Sequence, residues 1–219
     1  MGADLSIYGM FKGTGSTGFG YNSTTDEVTE GLDLSGKTYL VTGCNSGLGE
    51  DTVRVLAKRG ARIVGAARTI DKATKAMAPL AGEGHIPVAC ELSEPASVRA
   101  AVATVIESGV PLDGIIANAG IMALPKRQLQ YGYEMQFFTN HVGHFILVTG
   151  LIDQLVDTGR VVMLSSYGHT MTWPEGVRLD DLASEKKYAR FENYGQSKLC
   201  NLLFARHLAT RLPKPTQTA

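Results

Sequence analysis

Tyr194 and Lys198 stand four residues apart, in a segment whose composition predicts a helix. That spacing places both side chains on one helix face, one turn apart. A free tyrosine has a pKa of about 10 and is a poor acid–base catalyst at neutral pH. A neighbouring ammonium group stabilises the phenolate and lowers the phenol pKa toward neutrality. The pair could therefore move a proton to or from a substrate oxygen, although the same spacing also occurs on many exposed helices.

A glycine-rich segment, TGCNSGLG over residues 42–49, is a second candidate for chemistry. It follows an apolar run and opens a helical pattern, the context in which a helix N-terminus holds a phosphate. Gly43 permits the tight turn, Gly47 lets the backbone approach the phosphates, and Gly49 lets helix pack on strand. A glycine-rich turn without a ligand is the alternative. The literal G-x-G-x-x-G at residues 13–18 follows no predicted strand, so a flexible arm is its better interpretation.

Both candidates depend on a framework of five short apolar runs that alternate with helical patterns. The runs cover residues 38–42, 62–67, 86–90, 112–117 and 160–165, and the helical patterns cover 47–58, 69–80, a helix opening at 94–95, 133–156 and 193–212. Such alternation indicates βαβ units and a parallel sheet with helices on both faces. We predict one doubly wound α/β domain of Rossmann type over residues 37–219, with strand order 3-2-1-4-5. Residues 1–36, rich in Gly, Ser and Thr, are expected to form an irregular arm.

Composition excludes several classes of function. A chain of 219 residues suits a single domain, and its 21 basic residues equal its 21 acidic residues, which leaves no basic field for nucleic acid. Its three widely spaced cysteines form no metal-type pair and fit a reducing compartment. The uncharged stretch 136–152 contains polar groups such as Asn140 and His144, so a buried helix is favoured over a membrane span.

The N-terminus lacks the basic start and apolar run of a secretory signal, which favours a cytoplasmic location. Met1-Gly2 followed by Ser6 also matches a short myristoylation pattern, which leaves peripheral membrane association open.

Four further motifs occupy defined positions in the predicted elements. They are Asn118-Ala119-Gly120 after the fourth strand, Asn140 in the long helix, Ser165-Ser166 at the end of the fifth strand, and Tyr194 to Lys198 at the start of the last helix. Together with the glycine-rich loop, this order resembles the short-chain dehydrogenase/reductase family over roughly residues 34–212. The arm and the segment 197–204 are most similar to the retinol-dehydrogenase-like group, which includes the WW-domain oxidoreductase.

The resemblance implies a catalytic tetrad of Asn140, Ser166, Tyr194 and Lys198. Tyr194 would exchange a proton with an alcohol or carbonyl oxygen while hydride moves to or from a nicotinamide, and Lys198 would bind the nicotinamide ribose. Ser166 would polarise the substrate oxygen; it is preferred to Ser165 because it matches the family position. Asn140 would hold a water against the lysine.

The implied cofactor is NADP(H) rather than NAD(H). Enzymes that prefer NAD place a carboxylate at the end of the second strand. Ala67 occupies that position here, and Arg68 after it can take a 2′-phosphate, with help from Lys72, unless it is merely a solvated arginine. Glu91-Leu92 replaces the family's usual Asp-Leu beside the adenine. The residues predicted to bind the cofactor are Gly43, Asn45, Ser46, Gly47, Leu48, Gly49, Arg68, Glu91, Leu92, Asn118, Ala119, Gly120, Tyr194 and Lys198; no metal is expected.

The implied reaction is the NADP(H)-dependent interconversion of an alcohol and a carbonyl in a small-molecule substrate. The insert between the catalytic serine and tyrosine carries Tyr167, His169, Met171 and Trp173, which suggests a lipophilic or aromatic substrate unless they only pack the insert. Reduction of a carbon–carbon double bond is one alternative, favoured by Cys200-Asn201 after the lysine. A non-catalytic NADP(H) sensor that docks through its arm is another. A homo-oligomer is expected by analogy with the family.

The family fold continues with a sixth strand, which would begin near Thr218-Ala219. We therefore expect a C-terminally incomplete domain whose fifth strand is a sheet edge with unpaired backbone groups. On that hypothesis, the 219-residue chain alone is poorly soluble or inactive.

Overall fold

The computed structural model describes residues 15–214 and 217–219. A five-stranded parallel sheet forms its centre, and a two-stranded antiparallel hairpin lies outside that sheet. The strands are β1 (Thr38–Thr42), β2 (Arg62–Ala67), β3 (Ile86–Ala89), β4 (Leu112–Ala117), the hairpin strands β5 (Leu129–Gln130) and β6 (Tyr133–Glu134), and β7 (Leu155–Met163). The order β3-β2-β1-β4-β7 confirms the predicted doubly wound sheet, with β7 as the fifth main strand.

Helices cover both faces of the sheet. They are α1 (Thr25–Val28), α2 (Gly47–Lys58), α3 (Ile70–Met77), α4 (Pro95–Glu107), α5 (Met135–Phe137), α6 (Gly143–Leu151) and α7 (Arg190–Ala209). Helices α4 and α6 pack in one apolar core with Leu40 of β1, whereas α2 and α3 pack in the other with Val41. Since successive strand residues point to opposite faces, a strand buried on both sides becomes continuously apolar.

The long helix predicted over residues 133–156 is shorter and interrupted. Its first two residues belong to β6, and a π-helical turn, Phe138–Val142, separates α5 from α6. At the other end, Leu155 already pairs with Leu112 in the sheet, five residues before the predicted start of the strand. A register shift separates that pair from the pairing of Gly114 with Arg160. Because this bulge interrupts the regular strand pattern, the sequence did not indicate that β7 begins at Leu155.

The arm is not irregular throughout. Thr24 and Glu27 form a reciprocal capping box that opens α1. Asp26 then pairs with Arg54 at 2.7 Å and with Lys58 at 2.6 Å, which fixes α1 against α2. The predicted myristoylation pattern and the first two residues of the 13–18 glycine motif lie outside the described residues.

Residues 217–219 lie beside β7, where the sequence predicts a sixth strand to begin. The Val161 amide donates to the Thr218 carbonyl at 2.8 Å, and the Thr218 amide donates to the Gly159 carbonyl at 3.2 Å. Thr218 thus forms a parallel bridge with Arg160 and pairs part of the β7 edge. None of the helices that residues 15–214 and 217–219 form has the length and apolarity needed to span a membrane.

Candidate active site

The glycine-rich loop joins the end of β1 to the start of α2. Gly43 and Gly47 have φ angles of +69° and +56°, a region that favours glycine. Gly49 has a different constraint, because a Cβ there would lie 2.1 Å from the Gly43 carbonyl oxygen and 2.6 Å from Asn118 Nδ2. The backbones of the turn and the helix are therefore in direct contact, which only a residue without a side chain permits.

Thr42 ties this loop to the end of β4. Its hydroxyl oxygen accepts hydrogen bonds from the backbone amides of Asn118 and Ala119, both at 2.9 Å, and the Asn118 side chain donates to the Thr42 carbonyl at 2.9 Å. Thr42 was not among the site residues predicted from the sequence. It could have been recognised as a polar residue at the end of an apolar strand, immediately before the first glycine of the loop.

His144 extends the same network into the π-helical turn. Its Nε2 lies 2.9 Å from the Thr42 hydroxyl, and its Nδ1 lies 2.8 Å from the Asn140 backbone carbonyl. Because the Thr42 oxygen already accepts two amide protons, its own proton must go to Nε2. Nδ1 then carries the ring proton and donates it to Asn140. Burial of this fully enclosed ring lowers the pKa of His144 to about 4, so the imidazole is neutral at physiological pH.

The Asn140 side chain is held by three hydrogen bonds. Its Oδ1 accepts from the Ile121 amide at 2.8 Å, and its Nδ2 donates to the Ile121 carbonyl at 2.9 Å and to Ser197 Oγ at 3.0 Å. The Ser197 hydroxyl in turn donates to the Tyr194 carbonyl at 2.7 Å. Asn140 therefore links the loop after β4 to the helix that carries Tyr194.

Tyr194 and Lys198 lie on one face of α7, as the spacing predicts. Lys198 Nζ is 5.7 Å from the centroid of the Tyr194 ring and donates to the Leu164 carbonyl at 3.0 Å. The lysine is only 3 % exposed, and burial lowers its pKa. A Cβ on Gly120 would lie 3.5 Å from Lys198 Nζ and 3.2 Å from Asn140 Oδ1, so these two groups border the same point of the backbone.

The two serines at the end of β7 have different surroundings. The Ser165 hydroxyl donates to the Lys198 backbone carbonyl at 2.9 Å and so fixes β7 to α7. The Ser166 hydroxyl accepts from the Gly168 amide at 3.0 Å. A Cβ on Gly168 would lie 3.3 Å from that hydroxyl and 2.8 Å from the Tyr194 ring, so Ser166 and Tyr194 both border the same glycine.

A cleft of about 440 Å³ opens along the carboxyl ends of the strands. Of the residues predicted to bind the cofactor, those that line it are Gly43, Asn45, Ser46, Leu48, Gly49, Arg68, Glu91, Leu92, Asn118, Ala119 and Gly120. The other predicted residues, Gly47, Tyr194 and Lys198, are not among its lining residues. The cleft is also lined by residues that were not predicted from the sequence, namely Thr42, Cys90, Ile121, Thr139 and Leu164.

The insert after Ser166 is partly packed on itself. Trp173 is 4 % exposed, and the Arg178 guanidinium stacks 3.5 Å from the centroid of its ring. His169 Nδ1 lies 2.6 Å from the Ser166 carbonyl. Trp173 and His169 thus both have contacts within the insert, whereas Tyr167 and Met171 are exposed.

Comparison with known proteins identifies the family of the chain. The family model described as short chain dehydrogenase matches residues 37–178. The chain belongs to the short-chain dehydrogenase family. It is 37 % identical over 222 residues to Short-chain dehydrogenase TIC 32 B, chloroplastic, of Brassica napus, a match that covers 95 % of this chain and 69 % of that protein.

Retinol dehydrogenase 12 of Mus musculus is 36 % identical over 197 residues, which cover 87 % of this chain and 61 % of that protein. The predicted likeness to the retinol-dehydrogenase-like group is thereby confirmed. This chain spans less than two thirds of the length of that relative. Among solved structures, the blue fluorescent protein from a metagenomic library in complex with NADPH superposes with a TM-score of 0.68 at 27 % identity, covering 86 % of this chain and 73 % of that one.

Proposed function

We propose that this chain carries the active site of an NADP(H)-dependent oxidoreductase that interconverts an alcohol and a carbonyl. The observation that carries the proposal is the meeting of Tyr194, Lys198 and Ser166 at the same sheet edge as the glycine-lined cleft. When bound, the nicotinamide supplies or accepts the hydride.

The described residues fit a dinucleotide. The start of α2 lines the cleft through Leu48 and Gly49, and backbone amides there can hold a pyrophosphate. Leu92, beside Glu91, supplies apolar surface where the adenine would lie. Arg68 would hold the 2′-phosphate, since a guanidinium takes a phosphate through two parallel hydrogen bonds.

The chain's own groups then handle the proton. The charged amine of Lys198 stabilises the Tyr194 phenolate, which lowers the free energy of proton transfer at the phenol oxygen. The hydrogen bond from Nζ to the Leu164 carbonyl holds the amine beside the ring. Ser166, which borders Gly168 together with the Tyr194 ring edge, supplies a hydroxyl to orient the substrate oxygen.

Substitution of Tyr194 by Phe tests the reaction. We expect turnover to fall 10²- to 10⁴-fold, the usual contribution of general acid–base catalysis, while the dissociation constant for NADPH changes less than about threefold. Tyr39→Phe on β1 is the matched control. Apolar aldehydes and ketones are the first substrates to test, given the retinol dehydrogenase relative. Activity of Tyr194→Phe within about threefold of wild type contradicts the proposal.

The cofactor preference needs a separate test. Titration of NADP⁺ and NAD⁺ into wild type and Arg68→Ala should show a wild-type preference for NADP⁺ that falls about 10- to 150-fold in the variant, the value of a charge-assisted phosphate contact. Equal wild-type affinities refute the preference. Cofactor binding without turnover of carbonyl or enone substrates supports a sensor instead.

A further inference from the structure

Arg68 forms an ion pair at the end of the cleft that follows β2 and β3, where the adenine would lie. β2 and β3 are neighbours, with Ala67 opposite Ala89, so the residues that follow these strands meet. Arg68 Nε lies 2.9 Å from Glu91 Oε2, and both residues line the cleft. The cation proposed to take the 2′-phosphate is thus already paired with a carboxylate.

Glu91 is the better anchored member of the pair. Its Oε1 accepts from the Ser93 amide at 3.2 Å and from the Ser93 hydroxyl at 2.9 Å, and its own amide donates to Ser97 Oγ at 3.0 Å. The Arg68 side chain, by contrast, is 64 % exposed. A ligand can therefore draw Arg68 away more easily than it can displace Glu91.

The charges at this end of the cleft are unequal. Within the described part of the chain, the charged residues that line the cleft are Arg68, Lys72 and Glu91, and their net charge is +1. A phosphate monoester carries about −1.5 to −2 at neutral pH. It must compete with Glu91 for Arg68 and then lie near a fixed carboxylate, whereas an unphosphorylated 2′-hydroxyl can donate a hydrogen bond to that carboxylate.

We propose that Glu91 is a specificity-determining residue, which weakens the preference for the 2′-phosphorylated cofactor by pairing with Arg68. This inference rests on the proposed use of NADP(H). Glu91→Gln retains the side-chain length and the oxygen that accepts from Ser93, yet removes the negative charge. At separations of about 6 Å in water, removal of one charge facing a dianion should tighten NADP⁺ binding about three- to tenfold. NAD⁺ binding should change less than about twofold or weaken.

The test compares dissociation constants for NADP⁺, NAD⁺, 2′,5′-ADP and 5′-AMP in wild type, Glu91→Gln, Arg68→Ala and the double variant, measured by calorimetry. The nucleotide fragments give a readout that needs no turnover. Glu175→Gln is the matched control, because it removes the same charge from a carboxylate that pairs with Arg178. In the Arg68→Ala background, the gain from Glu91→Gln should shrink, since part of it comes from releasing Arg68.

The outcomes separate the two proposals. Tighter binding of NADP⁺ and 2′,5′-ADP alone, together with a smaller gain from Glu91→Gln in the Arg68→Ala background, supports the role of Glu91. Equal changes for all four ligands, or no change, while Arg68→Ala still weakens NADP⁺ selectively, overturn it and leave the NADP(H) proposal standing. If wild type and Arg68→Ala bind both cofactors alike, the proposed cofactor preference fails first, and this inference fails with it.

If Glu91→Gln unfolds, Glu91→Asp keeps the charge but withdraws it from Arg68 by one methylene. It should show a smaller gain of the same sign for NADP⁺. A loss of NADP⁺ affinity in that variant contradicts the proposal.

Discussion

Replacement of His144 by Phe should destabilise the protein by an amount that depends strongly on pH. Phenylalanine has a similar shape but no polar atoms. The Thr42 hydroxyl proton then loses its acceptor, and the Asn140 carbonyl loses the imidazole N–H that donates to it. Each buried polar group left without its partner costs about 1–3 kcal/mol. The expected loss at pH 7.5 is therefore about 2–6 kcal/mol, or some 2–4 °C in Tm per kcal/mol for a domain of this size.

Acid should remove much of that difference. Burial lowers the pKa of His144 from 6.5 to about 4 in the folded protein, so between these values the unfolded chain binds more protons than the native one. The free energy of unfolding then rises with pH through this window and falls as pH drops from 6.5 toward 4. A shift of this size corresponds to about 3 kcal/mol at 1.36 kcal/mol per pH unit. Wild type loses this stabilisation in acid, whereas His144→Phe has none of it to lose.

The assay is urea unfolding of wild type and His144→Phe at a series of pH values from 7.5 to 4.5. The gap between the two proteins should narrow steadily as the pH falls. His141, whose pKa burial also lowers, is present in both proteins, so its own contribution largely cancels in the difference. His207→Gln, at an exposed position on α7, is the control and should show no such trend. A gap below about 1 kcal/mol at pH 7.5, or one that stays constant down to pH 4.5, refutes the deduced network.

Three further predictions concern other parts of the molecule. Gly49→Ala should weaken NADP⁺ binding at least tenfold in a cofactor titration, because its Cβ would lie 2.1 Å from a backbone carbonyl, whereas Gly15→Ala, with 3.6 Å to its nearest neighbour, should not. Ser166→Ala should lower kcat at least tenfold with cofactor affinity retained. Ser165→Ala loses the hydrogen bond to the α7 backbone, so it should lower Tm and reduce kcat less than Ser166→Ala does. Asp26→Asn should lower Tm only slightly and only at low salt, since its ion pairs are exposed; a loss that persists in 1 M salt contradicts this.

Local features of the site could be predicted from the sequence because their physical causes are local. A strand, a glycine-rich turn and a helix follow one another within residues 38–58, so the context of Gly43 and Gly49 is visible in the sequence. The pairing of Tyr194 with Lys198 likewise needs only the periodicity of one helix. The boundaries were less accurate where the backbone departs from regular geometry, at the π-helical turn and at the bulged start of β7.

Contacts between distant segments could not be predicted. His144 and Thr42 are 102 residues apart, and nothing in either local pattern indicates that one accepts the proton of the other. The pairing of Arg68 with Glu91 has the same character: both residues were assigned to the cofactor, yet their contact depends on the neighbouring ends of β2 and β3. Side-chain networks of this kind are fixed by tertiary packing. A single sequence can therefore indicate which residues belong to the site, but not which of them form hydrogen bonds or ion pairs with each other.

The burial of Lys198 is the strongest physical reason to regard this edge of the sheet as functional. Lysines are seldom buried unless they are paired, because desolvation disfavours the charged form. Lys198 is 3 % exposed, its amine donates to a backbone carbonyl, and no carboxylate among the described residues forms an ion pair with it. Such an arrangement lowers the free energy of unfolding, and the hydrogen bond to the Leu164 carbonyl offsets that cost only in part. It has a chemical use if negative charge develops beside the amine, and the Tyr194 phenol is the group that lies there.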